Sequence, residues 1–271
     1  MQVFSYWDGP ITWMERLSVA SCLATGHDLT VYSHNPAALS HDGLGCKIGD
    51  AGEIMFEPTL EPMRRDFPAH WADHFRIEGL GKALGTWVDL DLIFLKPLPG
   101  NEYIMGWESD DSICNAVLRL PMGPRLAEYR AICRRRPAAF NMPWMPLKKR
   151  LKRQMKRVTR TLQGRLPPAP LLGPTTLTHL VHKHGVAREA RAMPVFYPVP
   201  ISRDNIRRFG EPGFIESFIR PETVAVHLWS NVYRRVYDMA MPPADGWLHY
   251  LHAMHIESRG KTEHRILIPC G

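Results

Sequence analysis

Hydrophobic and polar residues alternate along the chain in two kinds of pattern, short β-like runs and longer stretches with helical spacing. Residues 3–7 are aromatic and β-branched and are followed by a Gly-Pro break, which predicts a first strand. Residues 17–24 are largely apolar and end before Gly26, which predicts a helix, and residues 29–33 predict a second strand. A strand, a helix and a strand in this order indicate a βαβ unit in a parallel sheet.

The rest of the chain contains further elements of both kinds. Residues 34–70 are rich in Gly, Pro and charge, and we interpret them as loop with short elements. Residues 72–84 predict a helix that ends at Gly85, and residues 86–95 predict one buried strand with two carboxylates near its middle. Later strands are predicted at residues 112–120 and 223–227, and later helices at residues 124–133, 147–162, 175–184 and 247–255.

The composition is that of a globular protein and limits the classes of site. The 271 residues are 45% hydrophobic and 23% charged, which excludes disorder over most of the chain and fits a single domain over residues 1–271. Five cysteines at wide spacing form no CxxC pair, so we expect neither a zinc site nor a disulfide framework. No apolar run is long enough to span a membrane and residues 1–7 do not resemble a secretion signal, so we expect a cytoplasmic protein.

The net charge of +7 comes from one segment of the chain. Twelve Lys and Arg residues and no Asp or Glu lie from Arg134 to Arg165, which leaves the remainder of the chain at about −5. We therefore predict a basic helical insert at residues 134–168, which ends in a proline-rich stretch. Its apolar residues repeat every three or four positions and form one stripe: Leu147, Leu151, Met155, Val158 and Leu162.

This insert has a composition typical of helices that bind membrane surfaces. A basic helix with an apolar stripe, close to Trp144, fits an anionic membrane better than it fits base readout. We predict that residues 146–165 bind such a surface, that the protein is peripheral on the inner face of the membrane, and that it has no specific nucleic-acid partner. Two alternatives remain: the helix is solvated, or it closes over the active site and binds an anionic acceptor directly.

The sharpest chemical signal is the pair Asp89 and Asp91. Residues two apart on a strand point to the same face, so the two carboxylates are expected to lie close together. They repel each other, and both stay ionised only where a cation or solvent compensates. The alternative is an exposed strand face or turn, but the surrounding run is apolar, where unpaired charge is costly. Oxygen ligands suit Mn²⁺ or Mg²⁺, which can also bridge to substrate phosphates.

Residues 72–98 resemble the DxD sugar-binding region of family 32 glycosyltransferases. The fragments that carry the resemblance are Asp73-His74-Phe75-Arg76, Leu84-Gly85-Thr86-Trp87-Val88-Asp89-Leu90-Asp91 and Leu95-Lys96-Pro97-Leu98. Further fragments agree in order over residues 3–230: Trp7-Asp8-Gly9-Pro10, Gly26-His27 before Val31-Tyr32-Ser33, Cys114-Asn115-Ala116-Val117, Gly173-Pro174 before Leu177-Thr178, and His227-Leu228-Trp229. Thr86 departs from the usual Gly-Gly turn, and the basic insert is not part of the family core.

The resemblance implies a GT-A-like nucleotide-sugar-binding fold, with a mainly parallel sheet and helices on both faces, and a role for each matching residue. Asp89 and Asp91 would hold the metal and, through it, the donor diphosphate. His227 would complete the metal site, as a C-terminal His does in the wider fold class; a structural histidine is the alternative. Asp73 would accept hydrogen bonds from donor-sugar hydroxyls, or be a surface charge, and Arg76 would bind sugar or phosphate.

Three more residues are candidates for donor binding. Trp7 follows the first strand, where ligands collect in open α/β sheets, and would stack on the nucleotide base unless it is core packing. Trp229 would cover the diphosphate or sugar, with core packing again the alternative. Asn115 would face the anomeric centre of the sugar.

These features predict a retaining glycosyltransferase that moves a sugar from a nucleotide-sugar, most simply a UDP-sugar, to a glycan or lipid-linked glycan. Retention is implied by the resemblance, and front-face attack by the acceptor is the preferred mechanism. One alternative is another metal-dependent phosphate-ester enzyme, although the chain lacks a GxxxxGK[ST] loop and a dense set of further acidic ligands. The other is a non-catalytic protein that binds membrane or nucleic acid through its basic segment.

Overall fold

A six-stranded sheet forms the centre of the fold in a computed structural model, which describes residues 1–56, 61–134, 142, 144–145, 147–164, 172–241, 243 and 245–257. The strands are β1 (Gln2–Tyr6), β2 (Asp28–Ser33), β3 (Lys47–Asp50), β4 (Thr86–Val88), β5 (Leu92–Phe94), β6 (Ile104–Ser109), β7 (Ser112–Arg119) and β8 (Ala225–His227). The order in the central sheet is β3-β2-β1-β4-β7-β6, and β5 pairs with β8 in a separate two-stranded sheet.

The four strands β3, β2, β1 and β4 are parallel, as the strand–helix–strand pattern predicts. Strand β1 lies between its two parallel neighbours, because Val3 is opposite both Leu29 of β2 and Thr86 of β4. Strand β7 runs antiparallel to β4 and to β6. The predicted mainly parallel central sheet is therefore confirmed.

Helices cover both faces of this sheet, which confirms the fold class. They are α1 (Trp13–Ala24), α2 (Pro36–His41), α3 (Ala51–Ile54), α4 (Glu61–Asp66), α5 (Pro68–Gly81), α6 (Pro124–Arg134), α7 (Leu147–Leu162), α8 (Pro174–Lys183), α9 (Met193–Phe196), α10 (Arg203–Arg207), α11 (Ser230–Tyr237) and α12 (Trp247–His255). Helix α1 begins with a capping box in which Thr12 and Glu15 satisfy each other's backbone N–H groups.

The alternation of side chains along β1 creates two apolar layers. Val3 packs with Leu17 of α1 on one face, and Phe4 packs with Phe75 of α5 on the other. Helix α5 approaches this second face closely, because a Cβ atom on Gly79 would lie 2.3 Å from the Phe4 ring. Glycine at this position therefore sets the distance between the sheet and the helix that carries two candidate site residues.

The prediction of one continuous strand over residues 86–95 is wrong. The backbone pairs with β7 as far as Asp89, whose N–H donates to Ala116 O at 2.8 Å. At Asp91 the backbone pairs with the segment that follows β8 and no longer with β7, since the Asp91 carbonyl accepts from the N–H of Leu228 at 2.8 Å. The two carboxylates thus lie between β4 and β5, where the chain passes from one sheet to the other.

The interpretation of residues 34–70 as loop with short elements misses a strand of the central sheet. Strand β3 has only four residues, and Gly49 interrupts its apolar pattern beneath the Tyr32 ring. The other predicted strands and helices are confirmed with ends shifted by a few residues. Strand β6 has no counterpart among the sequence predictions.

Part of the basic insert lies outside the described residues, including the prolines that were expected to end it. The predicted amphipathic helix within the insert is confirmed as α7. Among the described residues, no helix combines the length and the apolar character needed to span a bilayer. That residues 1–271 form one domain stays a prediction.

Candidate metal centre and donor site

Three chain segments deliver Asp89, Asp91 and His227 to one point. Asp89 follows β4, Asp91 precedes β5, and His227 ends β8, which pairs with β5 so that His227 lies opposite Leu92. One ligand atom from each of the three side chains lies within 4.8 Å of the others. The break between β4 and β5 therefore brings the carboxylates together with a histidine that is distant in sequence.

Asp91 and His227 form a buried pair. The Nε2 atom of His227 lies 3.0 Å from Oδ1 of Asp91, and the N–H of Ser230 donates to Oδ2 of Asp91 at 2.8 Å. Burial raises the pKa of Asp91, but the charge of His227 and these hydrogen bonds outweigh it and bring the pKa to about 2. Burial lowers the pKa of His227, yet the Asp91 carboxylate reverses the effect, so this pKa lies above its ordinary value.

Asp89 is more accessible, with 28% of its side chain exposed. Its Oδ1 accepts hydrogen bonds from Trp87 Nε1 at 2.6 Å and from Arg76 Nη2 at 2.7 Å. Burial raises the pKa of Asp89, and the Arg76 guanidinium opposes this shift, whereas the Asp91 carboxylate adds to it. The Asp89 carboxylate therefore has Arg76 as its cationic partner and the Asp91 carboxylate close by.

Arg76 joins Asp89 to Asp73, the predicted sugar-binding residue. Its guanidinium donates to Asp73 Oδ1 at 2.5 Å as well as to Asp89, and it lies 4.6 Å from the centre of the Trp87 ring. Asp73 and Arg76 can meet because they are three residues apart on α5. The Nδ2 atom of Asn115, on β7, also donates to Asp73 Oδ1 at 2.9 Å. The structure thus places Asp73, Arg76, Asn115 and Asp89 in one hydrogen-bonded network.

Trp229 packs directly against His227. The two ring centroids are 4.0 Å apart, and the indole N–H of Trp229 donates to Val199 O at 3.1 Å. Trp229 has a φ of 54°, in the left-handed region that residues with a side chain adopt at an energetic cost of roughly 1–3 kcal/mol. In this structure the Trp229 ring is buried and packs against the imidazole ring of His227.

Trp7 lies at the carboxyl end of β1, as predicted. Its backbone N–H donates to Tyr32 O at 2.9 Å, and its indole N–H donates to Pro10 O at 3.2 Å. Gly9 leaves room beside the ring, since a Cβ there would lie 3.3 Å from it. The hydrogen bonds described for Trp7 do not join it to the Asp89–His227 group, so its stacking on a nucleotide base stays a prediction.

Two contributors to this region were missed by sequence reasoning. Ser230 supplies the first N–H of α11 to Asp91, and helix N-termini offer such unsatisfied donors, but the sequence gives no sign of which acceptor they meet. Asp8 enters the sequence predictions only as part of the Trp7-Asp8-Gly9-Pro10 fragment. Its carboxylate accepts from the Ser33 hydroxyl and the His34 N–H, both at 2.8 Å, and pairs with Arg64 at 2.7 Å beside Trp7.

The donor set fits a hard divalent cation. Carboxylate oxygens are the usual ligands of hard divalent ions, and an imidazole is a common ligand of transition metals. Nδ1 of His227 is buried and has no hydrogen-bond partner among the described residues. Asp89, Asp91 and His227 therefore form a group that could hold a metal ion.

Comparison with solved structures finds distant similarity. No model of a known protein family matches the chain, and no curated protein matches it. A solved structure described as "PaToxG Glycosyltransferase" aligns over 88% of this chain and 84% of its own, with 11% sequence identity and a TM-score of 0.41. That similarity is too low to transfer a residue role or a substrate to this chain.

Proposed function

We propose that this protein is a metal-assisted glycosyltransferase that takes a sugar from a nucleotide-sugar donor. The observation that carries the proposal is the convergence of Asp89, Asp91 and His227 at the end of a central parallel strand. Ligands of open α/β sheets bind at the carboxyl ends of the strands. The resemblance of the segments around Asp73 and Asp89 to family 32 glycosyltransferases supports glycosyl transfer as the class of reaction.

A divalent ion, Mn²⁺ or Mg²⁺, would be held by the two carboxylates and His227, and would stabilise the negative charge of the departing diphosphate. The protein's own residues prepare that site in advance. Ser230 fixes one oxygen of Asp91, and Trp229 fixes the plane of His227 by packing against it. Preorganised ligands of this kind lose little entropy when the ion and the donor bind.

The sugar of the donor would lie over Asp73 and Asn115. Arg76 and Asn115 both donate to Oδ1 of Asp73, which leaves Oδ2 as the acceptor for sugar hydroxyls. A carboxylate engaged in this way is suited to binding hydroxyls and poorly suited to acting as a nucleophile. Given the retention of configuration that the family resemblance implies, this favours front-face attack by the acceptor over a covalent intermediate on Asp73.

The nucleotide would lie along the carboxyl ends of β1 and β4. Trp7 would stack on the base, and UDP is the expected nucleotide from the family resemblance, with GDP as the variant. Trp229 would border the diphosphate through the edge of its ring. The transferred group is a hexosyl or N-acetylhexosaminyl residue, and the acceptor is a glycan or a lipid-linked glycan.

The test is release of nucleoside diphosphate from a panel of UDP-hexoses, UDP-N-acetylhexosamines and GDP-mannose with Mn²⁺. We expect release from at least one donor that stops when the ion is chelated and in Asp91→Asn. Asp204→Asn, which changes an exposed ion pair on α10, is the matched control and should behave as wild type. Absence of release from every donor, together with absence of Mn²⁺-dependent UDP binding by calorimetry, would contradict the proposal.

A second candidate function is hydrolysis of another phosphate ester by the same ligands. The observation that favours it is the metal-ligand group itself, which does not depend on a sugar. Metal-dependent hydrolysis of a sugar-free ester such as p-nitrophenyl phosphate, faster than release of UDP from any sugar donor, would favour this function instead.

A further inference from the structure

Helix α7 exposes its entire apolar stripe. Leu147, Leu151, Met155, Val158 and Leu162 are between 56% and 84% exposed. Five of the nine exposed large hydrophobic residues in the described part of the chain therefore lie on this one helix. Single exposed apolar residues are ordinary, but a continuous row of them marks a surface that contacts something else.

The side of α7 opposite this stripe faces the protein. The half-buried residues of the helix are Arg150, Arg153, Gln154, Arg157 and Arg160. Since successive helical residues are about 100° apart, these five share one face, directed away from the stripe. Lys148, Lys152 and Lys156 are four residues apart and form a row along one flank of the stripe. The arginines thus lie on the protein side of the helix, and these lysines border its outer apolar surface.

The inner face of α7 lies beside the start of α5. The Arg160 guanidinium lies 5.4 Å from the centre of the Phe67 ring, which immediately precedes α5. Burial lowers the pKa of His70, the Asp73 carboxylate opposes this shift, and the nearby Arg153 charge adds to it. His70 in turn lies 3.9 Å from Asp73. Helix α7 is therefore adjacent to the sugar-binding end of the candidate site.

The charge of α7 identifies the surface that would cover the stripe. The helix has eight Lys and Arg residues and no acidic residue, so a second copy of it would be repelled. A nucleic acid would be attracted to the charge but would not cover five aliphatic side chains. An anionic bilayer satisfies both features, because lysines can extend to lipid phosphates while the stripe enters the acyl region. At sixteen residues the helix is about 24 Å long, which suits it to lie flat on the surface.

We infer that α7 is a membrane-docking helix whose apolar stripe inserts into an anionic bilayer. Docking in this orientation places the start of α5, and with it Asp73, on the inner side of α7, at least one helix diameter (~10 Å) from the lipid surface. The acceptor is then a lipid-linked glycan presented by that surface, a consequence that rests on the proposed function. Trp144, which sequence analysis grouped with the membrane contact, stacks on His179 of α8 with centroids 4.3 Å apart and is not part of the inserted surface.

The test compares binding of full-length variants to phosphatidylcholine vesicles with and without phosphatidylglycerol, by co-sedimentation. The double variant Leu151→Glu/Met155→Glu adds two charges to the stripe, and Met122→Glu/Ile201→Glu adds the same two charges at exposed apolar positions outside α7. We expect wild type and the control to bind the anionic vesicles, and the stripe variant to bind about tenfold more weakly or worse. Equal binding by the stripe variant and the control would overturn the inference.

Insertion and adsorption by charge alone give different results. If the stripe inserts, brominated acyl chains should quench more indole fluorescence in Leu151→Trp than in wild type. Equal quenching in the two proteins would overturn insertion. Lys148→Gln/Lys152→Gln/Lys156→Gln should weaken binding at low salt, by roughly fivefold for each lysine that contacts the surface. A wild-type protein that is dimeric without lipid and becomes monomeric in the stripe variant would show that α7 mediates self-association, which would also overturn the inference.

Hydrolysis of a soluble donor without vesicles separates this inference from the proposed function. The stripe variant should release nucleoside diphosphate at the wild-type rate, because none of its changes touches the metal ligands. Loss of vesicle binding in the stripe variant with intact donor hydrolysis supports both conclusions. Vesicle binding by a wild-type protein that hydrolyses no donor would support membrane docking by α7 and contradict only the proposed transferase activity.

Discussion

The candidate site and helix α7 depart from ordinary burial in opposite directions. The site places Asp73, Asp89, Asp91, Arg76 and His227 in and around the protein interior, whereas α7 places five aliphatic side chains in solvent. Burial of charge is costly unless it is paired, and exposure of apolar surface is costly unless something covers it. The two regions differ in where the compensating group is found.

In the site, the groups that balance the buried charges belong to the protein itself. Each of the three carboxylates has a cationic partner within hydrogen-bonding distance, and Arg76 serves two of them. In α7, the described residues supply no cover for the stripe and no acidic residue within the helix. The site can therefore be assembled before its ligands bind, whereas the exposed face of α7 has no cover among the described residues.

The largest expected effect is loss of activity on removal of one charge from the metal ligands. Asp89→Asn and Asp91→Asn keep the shape of the side chain but weaken the hold on a divalent ion. We expect the rate of nucleoside diphosphate release to fall roughly 1000-fold, which corresponds to about 4 kcal/mol of barrier. The measurement is kcat at saturating Mn²⁺, with circular dichroism to establish that both variants fold. Rates near wild type in both variants would remove the metal role.

The next effect is on stability, at the residue that compensates two carboxylates at once. Arg76→Met should lower the free energy of unfolding by about 3–5 kcal/mol, because Asp73 and Asp89 would then face each other without a cation. Arg76→Lys should recover only part of this loss, since an ammonium cannot match the planar guanidinium fork. Urea unfolding measures both, with the exposed Arg207→Met as a control that should change little. Wild-type stability of Arg76→Met would show that the fold does not depend on the Arg76 charge to balance Asp73 and Asp89.

A smaller effect is expected at Glu78, where α5 meets α6. Its side chain is 7% exposed and accepts hydrogen bonds from Arg130 at 2.9 Å and from Arg134 at 2.7 Å. Burial raises the pKa of Glu78, but the two arginines outweigh it and hold the pKa below its ordinary value. The stabilisation is therefore present above the unfolded pKa of about 4.3 and is lost as the pH falls through the lower folded value.

Glu78→Gln removes this titration and should cost about 2 kcal/mol at neutral pH. The difference in unfolding free energy between wild type and the variant should then shrink as the pH is lowered from about 5 to about 3. Thermal melts across that range provide the measurement. A difference that stays constant with pH would mean that Glu78 contributes by packing and not by its charge.

The sequence predicts the parallel core well because hydrophobic periodicity reports burial directly. Strand β1 and helices α1 and α5 are continuous and have mostly apolar residues at their buried positions, so their sequences indicate both type and position. Strand β3 fails this criterion, since it has four residues and a glycine in place of a packed side chain. Its place in the sheet depends on pairing with β2, a tertiary contact that local pattern does not contain.

The site was predicted by residue type and by resemblance more than by geometry. The argument that Asp89 and Asp91 share one strand face is wrong, because the chain leaves the strand at this point. Their proximity comes instead from a change of sheet, which local periodicity cannot reveal. Neither could spacing predict that Ser230 and Trp229 would fix the orientations of Asp91 and His227, since both contacts depend on how α11 packs.

The smallest effect is expected at the exposed Leu151, and a buried leucine provides the clearest contrast between the two regions. Leu17 of α1 is fully buried in the core, so Leu17→Ala should cost about 2–5 kcal/mol of unfolding free energy. Leu151 of α7 is 56% exposed, so Leu151→Ala should change stability by no more than about 0.5 kcal/mol in the absence of lipid. With anionic vesicles present, Leu151→Ala should weaken membrane binding while Leu17→Ala, where still folded, should not. A large loss of stability in Leu151→Ala without lipid would mean that the stripe is already covered by the protein itself, and the contrast between the two regions would disappear.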